Sequence, residues 1–235
     1  MRFRLVFHFV LASSMCTAQT VNKIDSLKRE LLTVKSDTSK MQIMLELRTE
    51  YDLINVDSTL FYSQQALHLA EQIHSPKNEA GALYAIGSSY RRMGEIPKGL
   101  DFIYKGLQIS TDNRDSQGLA SGYTNMGLIH FDLDEYITAI NNFQVALKVR
   151  EQLHDSDQQV YLLMRIAYAY SKNKQSDSAS AYMQKAIDEW NKLKLTDYFN
   201  GLYFELIGEI EFASNNRGLA FDYLNKSIQI NQKNK

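Results

Sequence analysis

The residues of this chain equipped to hold a metal or move a proton are its histidines. Beyond residue 18 these are His68, His74, His130 and His154. A zinc hydrolase site of the HExxH kind needs two histidines on one helix face with a glutamate between them, and other metal centres need ligands clustered at short spacing. None of the four stands in such a pattern. His74 and His154 are separated by too many helix layers, each about 10 Å thick, to share an ion. His130 falls in an apolar column and is expected to be a packed core histidine. The run Asp132-Leu133-Asp134-Glu135 opens like a calcium loop, but Ile137 and Phe143 stand where that loop needs its glycine and its distal glutamate. It reads as a solvated turn. No glycine-rich phosphate cradle and no GxSxG motif occurs. The expectation is a chain without catalytic residues, metal or cofactor.

What organises the chain is a ladder of small residues. Gly87, Gly127, Ala167 and Gly208 are spaced 40, 40 and 41 residues apart. A second ladder is Ala66, Gly106, Ala146 and Ala186, and a third is Gly99, Ala139, Ala179 and Ala220. A period of this length means stacked units that bury their apolar faces only against each other. Around the first ladder stand Leu83, Ile86 and Tyr90, then Tyr123, Met126 and His130, then Leu163, Ile166 and Tyr170, then Phe204, Ile207 and Glu211. This spacing makes one stripe on one helix, with the small residue where another helix crosses closely. A second helix follows in each unit, carrying Ala139, Phe143 and Ala146, then Ala179, Met183 and Ala186, then Ala220, Leu224 and Ser227.

The columns over residues 83 to 106 and 123 to 146 resemble the tetratricopeptide repeat: a bulky residue, then an apolar one, Gly, Tyr, and later Ala and Phe at fixed offsets. The resemblance implies an all-α fold, an α-α superhelix of about five helix pairs preceded by a capping helix, about eleven helices in all. The family's usual repeat is shorter by about six residues and ends in a proline that is missing here. The extra residues are assigned to a longer second helix and turn.

The breakers agree with the period. Pro97 falls just inside a second helix and Pro76 between units, while Gly94-Glu95, Asp134-Glu135 and Asn215-Asn216 separate helices. Met44, Leu47 and Tyr51 are the inner stripe of a first unit whose turn lacks one residue. Ahead of it, Ile24, Leu27 and Leu31 make a short amphipathic helix. The expected organisation is a leader at 1–18, a capping helix at 19–36 and a repeat array at 37–235, with units near 38–76, 77–115, 116–156, 157–196 and 197–235.

Arg2 and Arg4, the apolar run Leu5 to Ala12 and the small residues ending Cys16-Thr17-Ala18 have the three parts of a secretory signal peptide. The run is too short for a bilayer span, which needs about 20 residues. Cleavage after Ala18 would remove the only cysteine, Cys16. Ser13 and Met15 fit a lipoprotein signal poorly, so lipid anchoring at Cys16 is not expected. The chain is expected to be exported to the periplasm. Without Arg2 and Arg4 it holds 24 basic against 27 acidic residues, a net charge near −3. That gives no electrostatic drive toward nucleic acid or an anionic membrane.

The surface left for function is the concave one, formed in this family by the first helix of each unit. Its candidate residues are Tyr84, Ser88, Arg91 and Arg92 in the second unit, Thr124, Asn125, Leu128 and Phe131 in the third, Tyr161, Arg165, Tyr168 and Lys172 in the fourth, and Glu205 and Glu209 in the fifth. Aromatics beside arginines make a good peptide lining. Some family members grip a peptide's terminal carboxylate from three successive first helices. Asn125 and Arg165 stand at matching places, whereas Tyr84, Ser88 and Tyr161 replace the other clamp residues.

Ile24-Asp25-Ser26-Leu27, Asp37-Thr38-Ser39-Lys40 and the 40-residue units together resemble the exported sensor region of Bacteroidetes-type tetratricopeptide signalling proteins, which are similar to two-component histidine kinases or transcription regulators. Two functions are therefore expected in alternation: a periplasmic scaffold for a protein or peptide, or the sensory half of a receptor whose membrane helix and output domain lie outside this chain. The last helix carries Leu219, Ala220, Phe221, Tyr223, Leu224, Ile228 and Ile230, more apolar positions than one neighbour needs. An interface is expected there, with a second copy or a downstream segment.

Overall fold

The computed structural model describes residues 22–52, 54–193, 204, 207–208, 210–212 and 216–233. The expected leader at 1–18, Glu205, Glu209 and the side chain of Ile230 lie outside the described residues. Everything regular among the described residues is helix, as the all-α expectation required. α1 covers 22–33. It is followed by α2 (Asp37–Tyr51), α3 (Val56–Gln72), α4 (Pro76–Arg92), α5 (Ile96–Asp112), α6 (Ser116–Asp132), α7 (Tyr136–Gln152), α8 (Ser156–Lys172), α9 (Ser176–Leu193) and α10 (Arg217–Lys233). Residues 204, 207, 208 and 210–212 are helical as well.

The helices start where the chain supplies acceptors or dispenses with donors. Ser36 Oγ accepts the Ser39 amide and Asn55 Oδ1 accepts the Ser58 amide at 2.8 Å, so α2 and α3 are capped by side chains. Pro76 is the first residue of α4 rather than part of the preceding link. Its missing N–H removes nothing there, because the first turn has no intrahelical acceptors.

Six turns from residue 73 to residue 175 share one geometry. Each has three residues, and the middle one, His74, Gly94, Arg114, Asp134, His154 or Lys174, is left-handed with φ between 51° and 80°. The amide after it reaches back five residues, as from Ser75 to the Ala70 carbonyl and from Glu135 to the His130 carbonyl, both at 2.9 Å. This is the Schellman closure of a helix C-terminus. From α4 to α8 every helix has 17 residues. The long period therefore comes from two equal half-repeats of one helix and one turn, and not from a longer second helix as expected above. With the turn always tied off in the same way, only helix length is left to absorb extra residues, and both helices absorb them.

The chain forms two compact units, one up to Gly118 and one from Leu119. In the first, Ile24 and Leu27 of α1 pack on Ile43 and Leu47 of α2, all four buried. Tyr51 stacks on Tyr62 at 5.7 Å and Tyr90 on Phe102 at 5.5 Å, with one residue fewer between Tyr51 and α3 than between Tyr90 and α5. A Cβ on Gly87 would come within 2.6 Å of Ile103 Cγ1, so α4 and α5 cross where the first ladder places a glycine.

In the second unit one continuous core joins Phe143 and Leu147 of α7, Leu162, Ile166 and Ala167 of α8, and Met183 of α9. A Cβ on Gly127 would run into the ring of Phe143, which is fully buried. One on Gly208 would meet Leu224 Cγ at 2.6 Å. The three glycines of the first ladder thus mark helix crossings within pairs, each facing a large residue on the second helix. Arg150, in the last turn of α7, ties two further segments together. It donates to Ser121 Oγ at 2.9 Å and pairs with Asp155 Oδ2 at 2.8 Å.

Candidate binding surface

In the second unit α8 carries Tyr161, Arg165, Tyr168 and Lys172, spaced four, three and four residues apart, so that they lie on one helix face. The Arg165 guanidinium lies over the Tyr161 ring at 5.0 Å, and Lys172 Nζ over the Tyr168 ring at 4.9 Å. Each cation sits one turn beyond its ring, and the contact holds both in place. Phe131, at the end of α6, stacks on Tyr168 with 5.1 Å between centroids and 25° between planes. Tyr136, at the start of α7, meets Phe131 edge-on at 5.4 Å. Its hydroxyl donates to the Asp134 carboxylate, which raises the Tyr136 pKa above the usual phenol value. Arg165 Nε is inaccessible to solvent and has no hydrogen-bond partner.

The structure therefore brings together five of the expected residues, Phe131, Tyr161, Arg165, Tyr168 and Lys172, as a row of three half-buried rings with two cations. Asn125 lies nearby in sequence on α6, but its amide donates to the Ser121 carbonyl of its own helix at 2.9 Å. Its remaining acceptor is what it offers a ligand. Thr124 likewise bonds back to the Ala120 carbonyl, and Leu128 packs on the core.

The residues expected in the first unit behave differently. Tyr84 is not at a surface: it is 4% exposed, its hydroxyl is 2.9 Å from Ser110 Oγ, and its ring fills the space over Gly106. This corrects its place among the lining residues. Gly106 leaves room that an alanine would close, and the ring occupies it. Arg92 pairs with Asp52, one unit earlier, at 3.0 Å, and Ser88 and Arg91 are half-buried. A separate cleft of about 550 Å³ opens beside α2, lined by residues that include Thr38, Gln42, Arg48 and Asn78. The reading of the sequence passed over it because the first unit lacks the glycine pattern. The available signal was Arg48, a charge in the column that holds Gly87, Gly127 and Ala167 in later units.

His130 is mostly buried, and its Nδ1 lies 2.6 Å from Glu135 Oε2. His74 and His154 are explained by their left-handed turn positions. Among the described residues no three His, Cys, Asp or Glu side chains come close enough to hold a metal ion, and no helix is long and apolar enough to cross a membrane.

On α10 the apolar residues divide. Ala220 is buried, Leu224 packs over Gly208, and Tyr223 stacks on Phe204 at 5.9 Å. Phe221 and Ile228 are 66% and 53% exposed. Their counterparts on α7, Ile140 and Leu147, are buried in the core shared with α8.

Residues 11–156 match the SusR N-terminal TPR domain family, and residues 160–189 match a tetratricopeptide repeat family. Tetratricopeptide repeat protein 29 of Trypanosoma brucei brucei (strain 927/4 GUTat10.1) is 23% identical over 153 residues, which are 62% of this chain and 30% of that protein. The chain thus spans about three-tenths of the length of that relative. Among solved structures, BtubC (BKLC) from P. vanneervenii superposes with a TM-score of 0.67 at 16% identity, covering 91% of this chain and 88% of that one. A Rap protein complexed with Competence and Sporulation Factor gives 0.71 at 16% identity, covering 97% and 74%. At such identities the likeness is one of fold. With 146 of its 235 residues inside the first of these matches, the chain belongs to the SusR N-terminal TPR domain family of tetratricopeptide repeat proteins.

Proposed function

We propose that this protein is a non-catalytic scaffold that captures a protein or peptide segment along α8, and that it does so in the periplasm after export. The row Phe131, Tyr168, Lys172 with Tyr161 and Arg165 carries the proposal. Rings pre-ordered by stacking give large contact area at little entropic cost, and the cations above them supply directional bonds to carboxylates and carbonyls. The Rap protein of similar fold was solved with a bound factor, which supports a ligand-binding use of such an array.

The test is cross-linking in cells to identify the partner, followed by titration against the wild type and the Arg165→Ala, Tyr168→Ala double variant. The expected loss is about 2 kcal/mol, roughly thirtyfold in affinity. Unchanged affinity would move the site off α8. Export is tested by fractionation and N-terminal sequencing: a periplasmic product beginning at Gln19 is expected, and a cytoplasmic one retaining Met1 would refute it.

A sensory role is the second reading, and the match to the SusR N-terminal TPR domain favours it. The supporting result is co-purification with the product of an adjacent reading frame that begins with a membrane helix and continues into a kinase or DNA-binding domain. Under either reading the exposed Phe221 and Ile228 suit a second copy of the chain, since the same face of α7 is covered by a following helix. Light scattering should show a dimer that Phe221→Asp with Ile228→Asp converts to a monomer. A wild type that is monomeric at high micromolar concentration removes the dimer.

A further inference from the structure

The turns from α5 to α6 and from α7 to α8 share one frame, but only the later one is filled by an ion pair. There Arg150 reaches the Asp155 carboxylate and the Ser121 hydroxyl. Forty residues earlier the same three positions hold Ser110, Asp115 and Gly81. The backbone repeats closely: Arg114 and His154 are both left-handed at φ 53°, and the amides of Asp115 and Asp155 close on the Ser110 and Arg150 carbonyls at 2.8 Å and 3.0 Å. With serine in place of the arginine, the earlier turn has a cleft of about 360 Å³, lined by Pro76, Lys77, Ile109, Ser110, Asn113 and Asp115. A Cβ on Gly118 would come within 2.6 Å of Asp115 Oδ2 and would also strike Ser110 Oγ, so both oxygens are held over one point of α6. Asp115 is half-buried, and among the described residues no cation pairs with it, neither Arg114 beside it nor Lys77, whose Nζ donates to Gln117 Oε1 at 2.9 Å. A shielded carboxylate without a counter-ion carries a desolvation cost that a bound cation offsets.

We propose that this cleft takes the guanidinium of an arginine side chain on a partner polypeptide, paired with Asp115 as Asp155 pairs with Arg150. The planar fork of the guanidinium matches a carboxylate, and such a charge-assisted pair is stronger in a shielded cleft than at the surface. Asn113 spends its amide N–H on the Ile109 carbonyl at 2.8 Å, which leaves its side-chain oxygen as a second acceptor. The alkyl stem of the incoming arginine lies along Pro76 and Ile109, as long cationic side chains do on apolar surface. Lys77 at the rim opposes the ligand's charge, and the corresponding residue of the later turn is the neutral Gln117. The cleft shares no residue with the row on α8, so either site can fail without the other.

The experiment titrates the full, isotope-labelled chain with three probes while following the Gly118 amide resonance, next to the Asp115 carboxylate. N-acetylarginine amide presents a guanidinium in a peptide setting, N-acetylcitrulline amide has its shape without the charge, and free arginine carries the terminal charges of a metabolite. A saturable shift is expected with the first, with a dissociation constant on the order of 1 mM, and binding at least about tenfold weaker with the citrulline probe. Asp115→Asn keeps a residue that caps α6 and should weaken the arginine probe at least about tenfold. Ser110→Arg supplies the chain's own guanidinium, as at Arg150, and should abolish binding, whereas Lys77→Gln should tighten it. Absence of saturation, equal binding of the citrulline probe, or undiminished binding to Asp115→Asn overturns the proposal. A preference for free arginine of more than about tenfold overturns the polypeptide source. If Ser110→Arg does not fold, the citrulline comparison and Asp115→Asn decide.

Discussion

Gly127→Leu is expected to lower the stability of the second unit by about 3 kcal/mol, the upper end of what overpacking a close-packed core costs. Gly127 lies at the crossing of α6 and α7, where even a single added methyl would enter the ring of Phe143. That ring is fully buried and belongs to the core shared with α8 and α9, so it has no empty space to move into. Gly127→Ala should already cost about 1–2 kcal/mol for the same reason. Gly81 is the control. It too is in a helix, but a Cβ there meets nothing within 4 Å, so Gly81→Ala removes backbone freedom from the unfolded chain without a clash. A gain of about 0.5–1 kcal/mol is expected. Urea unfolding of the three variants measures both signs. A Gly127→Leu protein as stable as the wild type would mean that α6 and α7 do not cross at this residue.

Loss of Arg150 should cost a similar amount, about 3 kcal/mol, by a different route. Its side chain is 11% exposed and that of Asp155 31%, so the pair is largely shielded. In one reach it joins the end of α7 to Ser121 on α6 and to Asp155 at the turn into α8. Arg150→Ala leaves Asp155 facing protein with no counter-charge and empties the volume of the guanidinium. Arg150→Lys should recover less than half of the loss, because one ammonium cannot serve two acceptors lying in different directions. Ser121→Ala removes only one neutral acceptor and should cost about 1 kcal/mol. Equal stability of Arg150→Ala and Ser121→Ala in denaturant titrations would show that the carboxylate pair contributes nothing.

The helix pairs were legible in the sequence because a helix crossing leaves few choices. Gly87, Gly127 and Gly208 sit against Ile103, Phe143 and Leu224, and no larger residue fits without displacing them. The turns were less legible. Of the six left-handed positions only Gly94 is a glycine, and the others are His74, Arg114, Asp134, His154 and Lys174. Their backbone strain is outweighed by the carbonyls that the turn satisfies, so residue type gave no warning of the geometry. Tyr84 was misplaced because a tyrosine one position from an apolar stripe looks equally suited to either side. Gly106, the only glycine in a column otherwise filled by Ala66, Ala146 and Ala186, marked the space its ring takes. The row on α8 could be anticipated because Tyr161, Arg165, Tyr168 and Lys172 fall on one face by spacing alone. The cleft beside α2 could not, since which side chains line it is known only once the helices are placed.

The identical turns also bear on how such a chain can change length. The link from α6 to α7 and the link from α8 to α9 have the same three residues' worth of backbone, closed by the same reach to a carbonyl five residues back. Removing residues 135–174 would join Asp134 directly to Gln175 at matching points of two such links, with no new joint to be invented. A duplication of the same stretch would splice as cleanly. An array built this way can gain or shed whole modules by recombination at any turn, whereas a gain of a few residues inside a helix would throw every later small residue off its crossing. The 40-residue spacing is therefore protected against small insertions and open to large ones.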